Sequence, residues 1–556
     1  MNHQPSSVRH RLLLGILILL ASFLASRGLF DPDVGWPDAD RIVMDGVFIH
    51  DFLRDLQFGT LFSVDFPARI YQYAVDYYTQ YPSLSLGAKP PLFPFVESIF
   101  FFLFGVNDLS AKASVILFSI IGLIAWYDLV RQTHDHATAW LSSGLLFTTP
   151  FIVYWSWYTM LEIPVLAMAL VTANTMWRYV ETRANRWLYW SAFALSLSMW
   201  TKQAAFFMVP WFLIWMILLG RTTEMLRDRA VWKATALVIV LNLPLLVLSI
   251  WLGKNNMALA FEGVRESHRV GSWFDWSYLR QYIDILIRDQ VTIPVLLLSL
   301  IGFATSLYRR DRQTLIYFSL IVGTFLFFTA LRSFRIDRYT IFWVPGFALF
   351  AVIPIHHFRK HPLFQRLGTA CILAVMVYQI HLCQTTTPAF TKGHQEAARF
   401  AIEQSKNGRI FMDGVNNGYF IYYVRLNDPN RNYFILRGDK LLHSSNVMTE
   451  DWTQIHTHDL QGIRSHLDQH GIDILVVEES NYTNLEIHQM LRDHLKSDAF
   501  ELLKTIPVHS SRSSLKNQSL LIYRYKQAKA PGTKRFKLSL PIVGITLDTS
   551  LPPVER

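Results

Sequence analysis

Lys89 to Gly105 reads KPPLFPFVESIFFFLFG, and whether this run crosses a membrane decides the topology of everything after it. Its apolar part, residues 90–105, carries Pro90, Pro91, Pro94 and the acid Glu97. About fifteen residues of helix reach only ~22 Å, whereas the hydrocarbon core is ~30 Å thick.

The charges of the other loops settle the question. After a first apolar run that begins at Leu12, others recur at roughly 112–131, 138–156, 161–180, 187–201, 203–220, 232–252, 291–307, 314–331, 339–355 and 366–383. If 90–105 stays on one side, the cytoplasmic loops hold Arg131; Arg178, Arg183 and Arg186; Arg221, Arg227, Arg229 and Lys233; Arg309, Arg310 and Arg312; and Arg359, Lys360 and Arg366. If it crosses, all of them move outside, against the preference of Lys and Arg for the cytoplasmic side. The run is therefore expected to be a juxtamembrane or re-entrant helix, its backbone covered by protein or water.

Composition agrees. Of 556 residues, 51% are apolar and 17% charged, against about 25% charged in soluble domains. The expectation is a polytopic α-helical membrane protein with eleven spans, within a range of eleven to thirteen. The net charge of +10 sits in short loops between apolar runs, so it does not indicate a nucleic-acid partner. The N-terminal MNHQPSSVRHR before an apolar core resembles a signal peptide and is read as an uncleaved signal anchor, because many spans follow. The expected division is an anchor helix over 1–30, a first extracytoplasmic loop over 31–110, a multi-span domain over 111–385, an extracytoplasmic domain over 386–526 and a poorly ordered tail over 527–556. In 386–526, GRIFMDG, NYFILRG, GIDILVVEES and SLLIYRYK read as strands. Helices are expected near 393–405, 460–470 and 483–504, giving a small α/β domain. MDGVNNG lacks the glycine spacing of a nucleotide-binding loop. Cys371 and Cys383 are twelve residues apart in one apolar helix, ~18 Å along it. That excludes a disulfide and leaves two small buried hydrophobes.

Loop parity places the remaining polar residues on one outer face. Asp31, Asp33, Asp38, Asp40 and Asp45 follow the first span, with Arg41 among them. Partial desolvation there would raise a carboxylate's pKa and make it a better base, although a solvated acidic loop accounts for any one of them. Lys89 stands before two prolines at the start of a helix, where a cation and free N–H groups meet an anion; snorkelling accounts for it equally. Glu162 suits a helix first turn as a cap or as a site acid, and Lys202 interrupts two apolar runs. Arg332, Arg335 and Arg338 put three arginines outside, against the charge rule, and a phosphate would explain them.

PDADR, KPPLFPFVESIFFFLFG, MLEIP, TKQAAF and RIDRY occur in the order seen in polyprenyl-phosphate-dependent glycosyltransferases of the C superfold. The chain resembles their family 39-type members and the related lipid A aminoarabinose transferases and protein mannosyltransferases, over roughly residues 30–345. The resemblance implies a catalytic Asp38, with Asp40 as the alternative base because Ala39 stands where the family has Glu. It implies donor-phosphate contacts from Arg41, Lys89, Lys202, Arg335, Arg338 and Tyr339, and a second acid in Glu162. The implied donor is a polyprenyl-phosphate sugar, the acceptor a lipid, glycan or protein hydroxyl, and the location a bacterial inner membrane. No cofactor is expected; the alternative is Mg²⁺ or Mn²⁺ on Asp38, Asp40 and Glu162, as in related oligosaccharyltransferases. A transporter or flippase of lipid-linked sugars is the competing function.

Overall fold

A computed structural model describes residues 5–30, 35–36, 38–57, 59, 65–85, 89–252, 276–330, 337–445, 453–480, 483–515, 517–529, 535–540 and 545–551. Asp31, Asp33, Arg332 and Arg335 lie outside the described residues.

The run that decides the topology is one short helix, Leu92–Phe104. Its 13 residues reach ~20 Å, less than the bilayer core. Gly105, at φ 80°, ends it in a conformation that glycine adopts without steric cost. Asn107 then opens the Asp108–Thr133 helix by accepting from Ser110 N at 2.8 Å. Phe95, Ile99 and Phe102 form an exposed apolar face, while Phe93, Glu97 and Phe101 are buried, the pattern of a helix lying at an apolar boundary. Glu97 therefore faces protein rather than lipid. Burial pushes its carboxyl well above the usual range.

Five described helices have the length and apolarity to cross a bilayer: Val8–Leu29, Asp108–Thr133, Arg229–Ile250, Asp337–His357 and Pro362–Thr385. Shorter apolar helices include Gln203–Leu218, Ile293–Arg309 and Arg312–Phe328. Helices also form at the other expected positions, as Glu162–Thr182 and Asn185–Thr201. The expected run over 138–156 is split into His136–Thr148 and Pro150–Ser156, because Pro150 has no N–H for the ladder and crowds the preceding turn. Cys371 and Cys383 share Pro362–Thr385 and are unbonded, but only Cys383 is buried. Twelve residues of helix turn the two thiols ~120° apart, so Cys371 is exposed, a correction to the expected pair of buried thiols.

The C-terminal region holds a six-stranded sheet in the order β1-β7-β8-β6-β2-β3. Its strands are β1 (Thr391–Lys392), β2 (Arg409–Asp413), β3 (Phe434–Arg437), β6 (Ile474–Glu478), β7 (Phe500–Ser510) and β8 (Gln518–Tyr525), with β4 (His443–Ser445) and β5 (Thr453–Ile455) paired separately. β2 is parallel to β3 and β6, and β8 joins β6 to β7 antiparallel. The four expected strands are β2, β3, β6 and β8. Two expectations fail. The helix over 483–504 stops at His494, and β7 follows, its Ile506 and Val508 buried on either side of exposed Pro507 with the period of two that marks a strand. The tail is not structureless: β9 (Arg535–Leu540) and β10 (Ile545–Ser550) form a hairpin. Leu538, Leu547 and Leu551 are buried in one apolar cluster with Val75 and Leu441.

This domain is docked on the first loop by buried polar contacts. Arg425 donates to both oxygens of Asp51, at 2.9 and 2.7 Å, and the Tyr77 hydroxyl donates to the same acid at 2.9 Å. Tyr81 donates to Asp428 at 2.9 Å, and Arg431 pairs with Asp55. Gly418, in the first turn of the Asn417–Asn427 helix, lies against Asp40; a Cβ there would collide with the carboxylate.

Candidate active site

Asp38 sits at the N-cap of the Ala39–Asp55 helix, yet its side chain makes no capping bond. Aspartate is among the best N-caps, so a competing partner holds it elsewhere. That partner is Arg338, whose Nη2 donates to Asp38 Oδ2 at 3.0 Å. Arg338 lies in the first turn of the 3-10 segment Asp337–Trp343, and its Nε is 3.7 Å from Glu162 Oε1. Glu162, in the first turn of Glu162–Thr182 and 1% exposed, accepts from Lys202 Nζ at 2.7 Å. Lys202 stands at the break between Asn185–Thr201 and Gln203–Phe207, where the chain leaves helical geometry. Its Nζ is 4.8 Å from the Tyr339 ring centroid, and Arg338 Cζ is 5.7 Å from the same ring. Asp38, Glu162, Lys202, Arg338 and Tyr339 thus form one connected set drawn from four regions of the chain.

Lys89 and Arg41 join it electrostatically. Burial pushes the Asp38 carboxyl up, but Lys89, then Arg338 and Arg41, more than offset this and leave it below its usual value. The expectation of a raised Asp38 pKa is corrected: the cations outweigh desolvation. Lys89 is shifted down by burial, which Asp38 and Asp45 only partly counter. Asp40 behaves differently. It is 4% exposed and turned towards Ser83 and Gly418, and burial pushes its pKa up to about 6 despite Arg41. The two acids that the sequence left interchangeable occupy different surroundings. Asp38 and Glu162 both face Arg338, and Asp40 is turned away, so these three carboxylates do not fit a shared metal. Among the described residues no group of three or more His, Cys, Asp or Glu is arranged to hold one.

Two supporting roles were not assigned from the sequence. Asp45 accepts from Ser85 N at 2.8 Å and from the Ser85 hydroxyl, and Ser85 O accepts from Lys89 N at 3.1 Å, which fixes the approach to Lys89. Gln290, 1% exposed, donates to Asp337 O and to Thr340 Oγ1 and accepts from Trp343 Nε1, which fixes the turn carrying Arg338 and Tyr339. The only signal for Gln290 was a polar residue at the edge of an apolar run.

Residues 88–248 match the family model for dolichyl-phosphate-mannose–protein mannosyltransferases, a stretch that includes Lys89, Glu162 and Lys202. ArnT from Cupriavidus metallidurans bound to undecaprenyl phosphate superposes with a TM-score of 0.58 at 13% identity, covering 94% of this chain and 99% of that one. Its apo state gives 0.60 at 13% identity, over 93% and 98%.

The chain has the glycosyltransferase C fold.

The oligosaccharyltransferase of Archaeoglobus fulgidus, in its apo form, is similar at a TM-score of 0.51 and 12% identity, over 83% of this chain and 69% of that one. A protein of Aquifex aeolicus (strain VF5), described as uncharacterized, is 23% identical over 254 residues, 44% of this chain and 42% of its own length. This chain therefore spans less than half of that relative. Asp38, Glu162, Lys202 and Arg338 all stand at the ends of helical segments in this fold.

Proposed function

We propose that this protein is a membrane glycosyltransferase that moves a sugar from a polyprenyl-phosphate carrier to an acceptor hydroxyl on the extracytoplasmic face, inverting the anomeric centre. The observation that supports it most is the gathering of cations around a partly exposed carboxylate. Lys89, Arg338 and Arg41 act on Asp38, and Lys202 and Arg338 act on Glu162, with Asp45 and Asp40 also acting on Lys89, so a carrier phosphate entering beside Asp38 would meet several cations at once. In this reading Asp38, 40% exposed and held ionised, accepts the proton of the acceptor hydroxyl as its oxygen bonds to the anomeric carbon. The bond from that carbon to the carrier phosphate breaks, and its electron pair goes to the phosphate oxygen. Arg41, Lys89 and Arg338 stabilise that charge, a role in which one donor contributes ~10²–10³ in rate. Glu162 holds Arg338 and Lys202 at the right height, and Tyr339 lies beneath both cations. No step is assigned to a metal.

The deciding experiment uses the full chain in liposomes with a polyprenyl-phosphate sugar and a hydroxyl acceptor. Release of polyprenyl phosphate in step with acceptor glycosylation is expected. Movement of the lipid-linked sugar between leaflets with no such release would replace this reading by transport.

A further inference from the structure

A second cationic site lies at the far end of the Val344–His357 helix from Arg338, ~20 Å along the axis from where that helix starts. Arg309, His356, His357, Arg359, Lys360 and His361 line a cavity of about 400 Å³ there, and no acid is among its walls. Arg309 ends the Ile293–Arg309 helix; the others close Val344–His357 and the turn before Pro362–Thr385. The cytoplasmic preference of Lys and Arg explains cations in this loop. It does not explain why they line one half-open cavity.

The wall is built. The Arg309 guanidinium rests on the Phe358 ring, Cζ 4.9 Å from its centroid. Asp135 Oδ2 is 2.8 Å from His356 Nδ1, and Asp311 Oδ2 is 3.1 Å from His357 Nε2, so both rings are fixed by acids that stand behind them. The His357 side chain is only 7% exposed, and its Nδ1 is buried without a partner. The 24-residue Pro362–Thr385 helix starts at the same place with no side-chain cap, leaving first-turn N–H groups for an anion. We propose that this cavity is an anion site for a phosphate group, separate from the Asp38 site and independent of the transfer reaction. Basic pockets between membrane helices on this side suit anionic headgroups, and arginine supplies a planar fork for phosphate oxygens. The phosphate comes from a phospholipid of the facing leaflet or from a soluble ion.

The test compares the full-length protein with two triple variants. One carries Arg309→Gln, Arg359→Gln and Lys360→Gln; the other carries Arg221→Gln, Arg227→Gln and Arg229→Gln, which removes equal charge from another loop on the same side. Native mass spectrometry with added phosphatidylglycerol, cardiolipin or phosphatidylcholine measures lipid retention, and equilibrium dialysis measures radiolabelled inorganic phosphate. Wild type and the second triple are expected to retain anionic lipid about tenfold over phosphatidylcholine, and the cavity triple to lose that preference. Phosphate binding lost only in the cavity triple, without a lipid preference, also supports the site and assigns the soluble source. Equal losses in both triples, or unchanged binding of both probes in the cavity triple, would overturn it. Arg309→Gln alone keeps the loop charges that orient the chain; unchanged binding of both probes there overturns the proposal even if the cavity triple does not fold.

Discussion

As the proposed base, Asp38 depends on what surrounds it, and the same surroundings keep its pKa low. A carboxylate beside Lys89, Arg338 and Arg41 is ionised at neutral pH, and positioning supplies what basicity does not. Asn keeps the shape and one oxygen but cannot take a proton. Asp38→Asn is therefore expected to lower single-turnover transfer by ~10² or more while donor binding stays near wild type; a wild-type rate would remove Asp38 from catalysis. Asp40→Asn should transfer at close to the wild-type rate and change stability instead. The folded pKa of Asp40, about 6, lies above its ordinary 3.8, so the folded state holds this proton more tightly than the unfolded one. Its contribution is most favourable at low pH and is lost as pH rises through 6, at a cost of about 3 kcal/mol at most. Asp40→Asn should then raise the melting temperature relative to wild type at pH 7.5 and have little effect at pH 4, as read by thermal unfolding in detergent. Because Asp38 and Glu162 are committed to Arg338, transfer is expected to survive exhaustive chelation; activity lost to a chelator and restored by Mn²⁺ would reverse that assignment. Lys89, Glu162, Lys202 and Arg338 were legible in the sequence, since each is a charge where loop parity or an apolar run makes one unusual, whereas Asp38 was one of five loop acids until the family resemblance pointed to it. Which of Asp38 and Asp40 meets Arg338 was not legible there, because two residues of helix turn them towards different neighbours.

The Leu92–Phe104 helix carries the topology, and its 13 residues, with Phe95, Ile99 and Phe102 exposed, suit the proposed position against the membrane rather than through it. A reporter active only outside the cytoplasm should accordingly be active when fused after residue 390 and silent when fused at 310. The opposite pattern would mean that the helix crosses, and would put the Asp38 set on the wrong side for the proposed reaction. Charge rules bear on this element because they sum over five loops. They do not help with the elements beyond the membrane. β7 was mistaken for helix because LLK and the preceding charged residues favour helix locally, whereas pairing to β8 along eight residue pairs decides the outcome. The β9–β10 hairpin was missed for a related reason: prolines and charges at 527–556 hide the alternation RFKLSL, and its Leu538 gains a buried surface only once Val75 and Leu441 are in place.

At the scale of the whole molecule, the α/β domain and the membrane helices meet through the helix that starts at Asp38. Asp51, on the same Ala39–Asp55 helix, is fully buried and held by Arg425 and Tyr77. The partners are 374 residues apart in the chain, a separation at which no local pattern announces a pair. Burial pushes the Asp51 carboxyl up, but the His50 hydrogen bond and then Arg425 more than offset this and bring it to about 2. A depressed acid stabilises the folded state above its ordinary value of 3.8, and that contribution is lost as pH falls from about 4 towards 2; at neutral pH it is fully present. Arg425→Ala leaves a buried carboxylate without its cation and should cost ~3–5 kcal/mol. Asp51→Leu combined with Arg425→Met removes both charges and keeps apolar volume, so the double variant should recover most of that loss. Thermal unfolding reads the cycle, and limited proteolysis after Thr385, where the last membrane helix ends, reads whether the domain has come away. Transfer should fall with Arg425→Ala although Arg425 is not among the residues around Asp38, because Asp51 ties the helix that begins at Asp38 to the domain above. If Arg425→Ala melts like wild type and its C-terminal domain stays protected, the ion pair does not hold the two halves together.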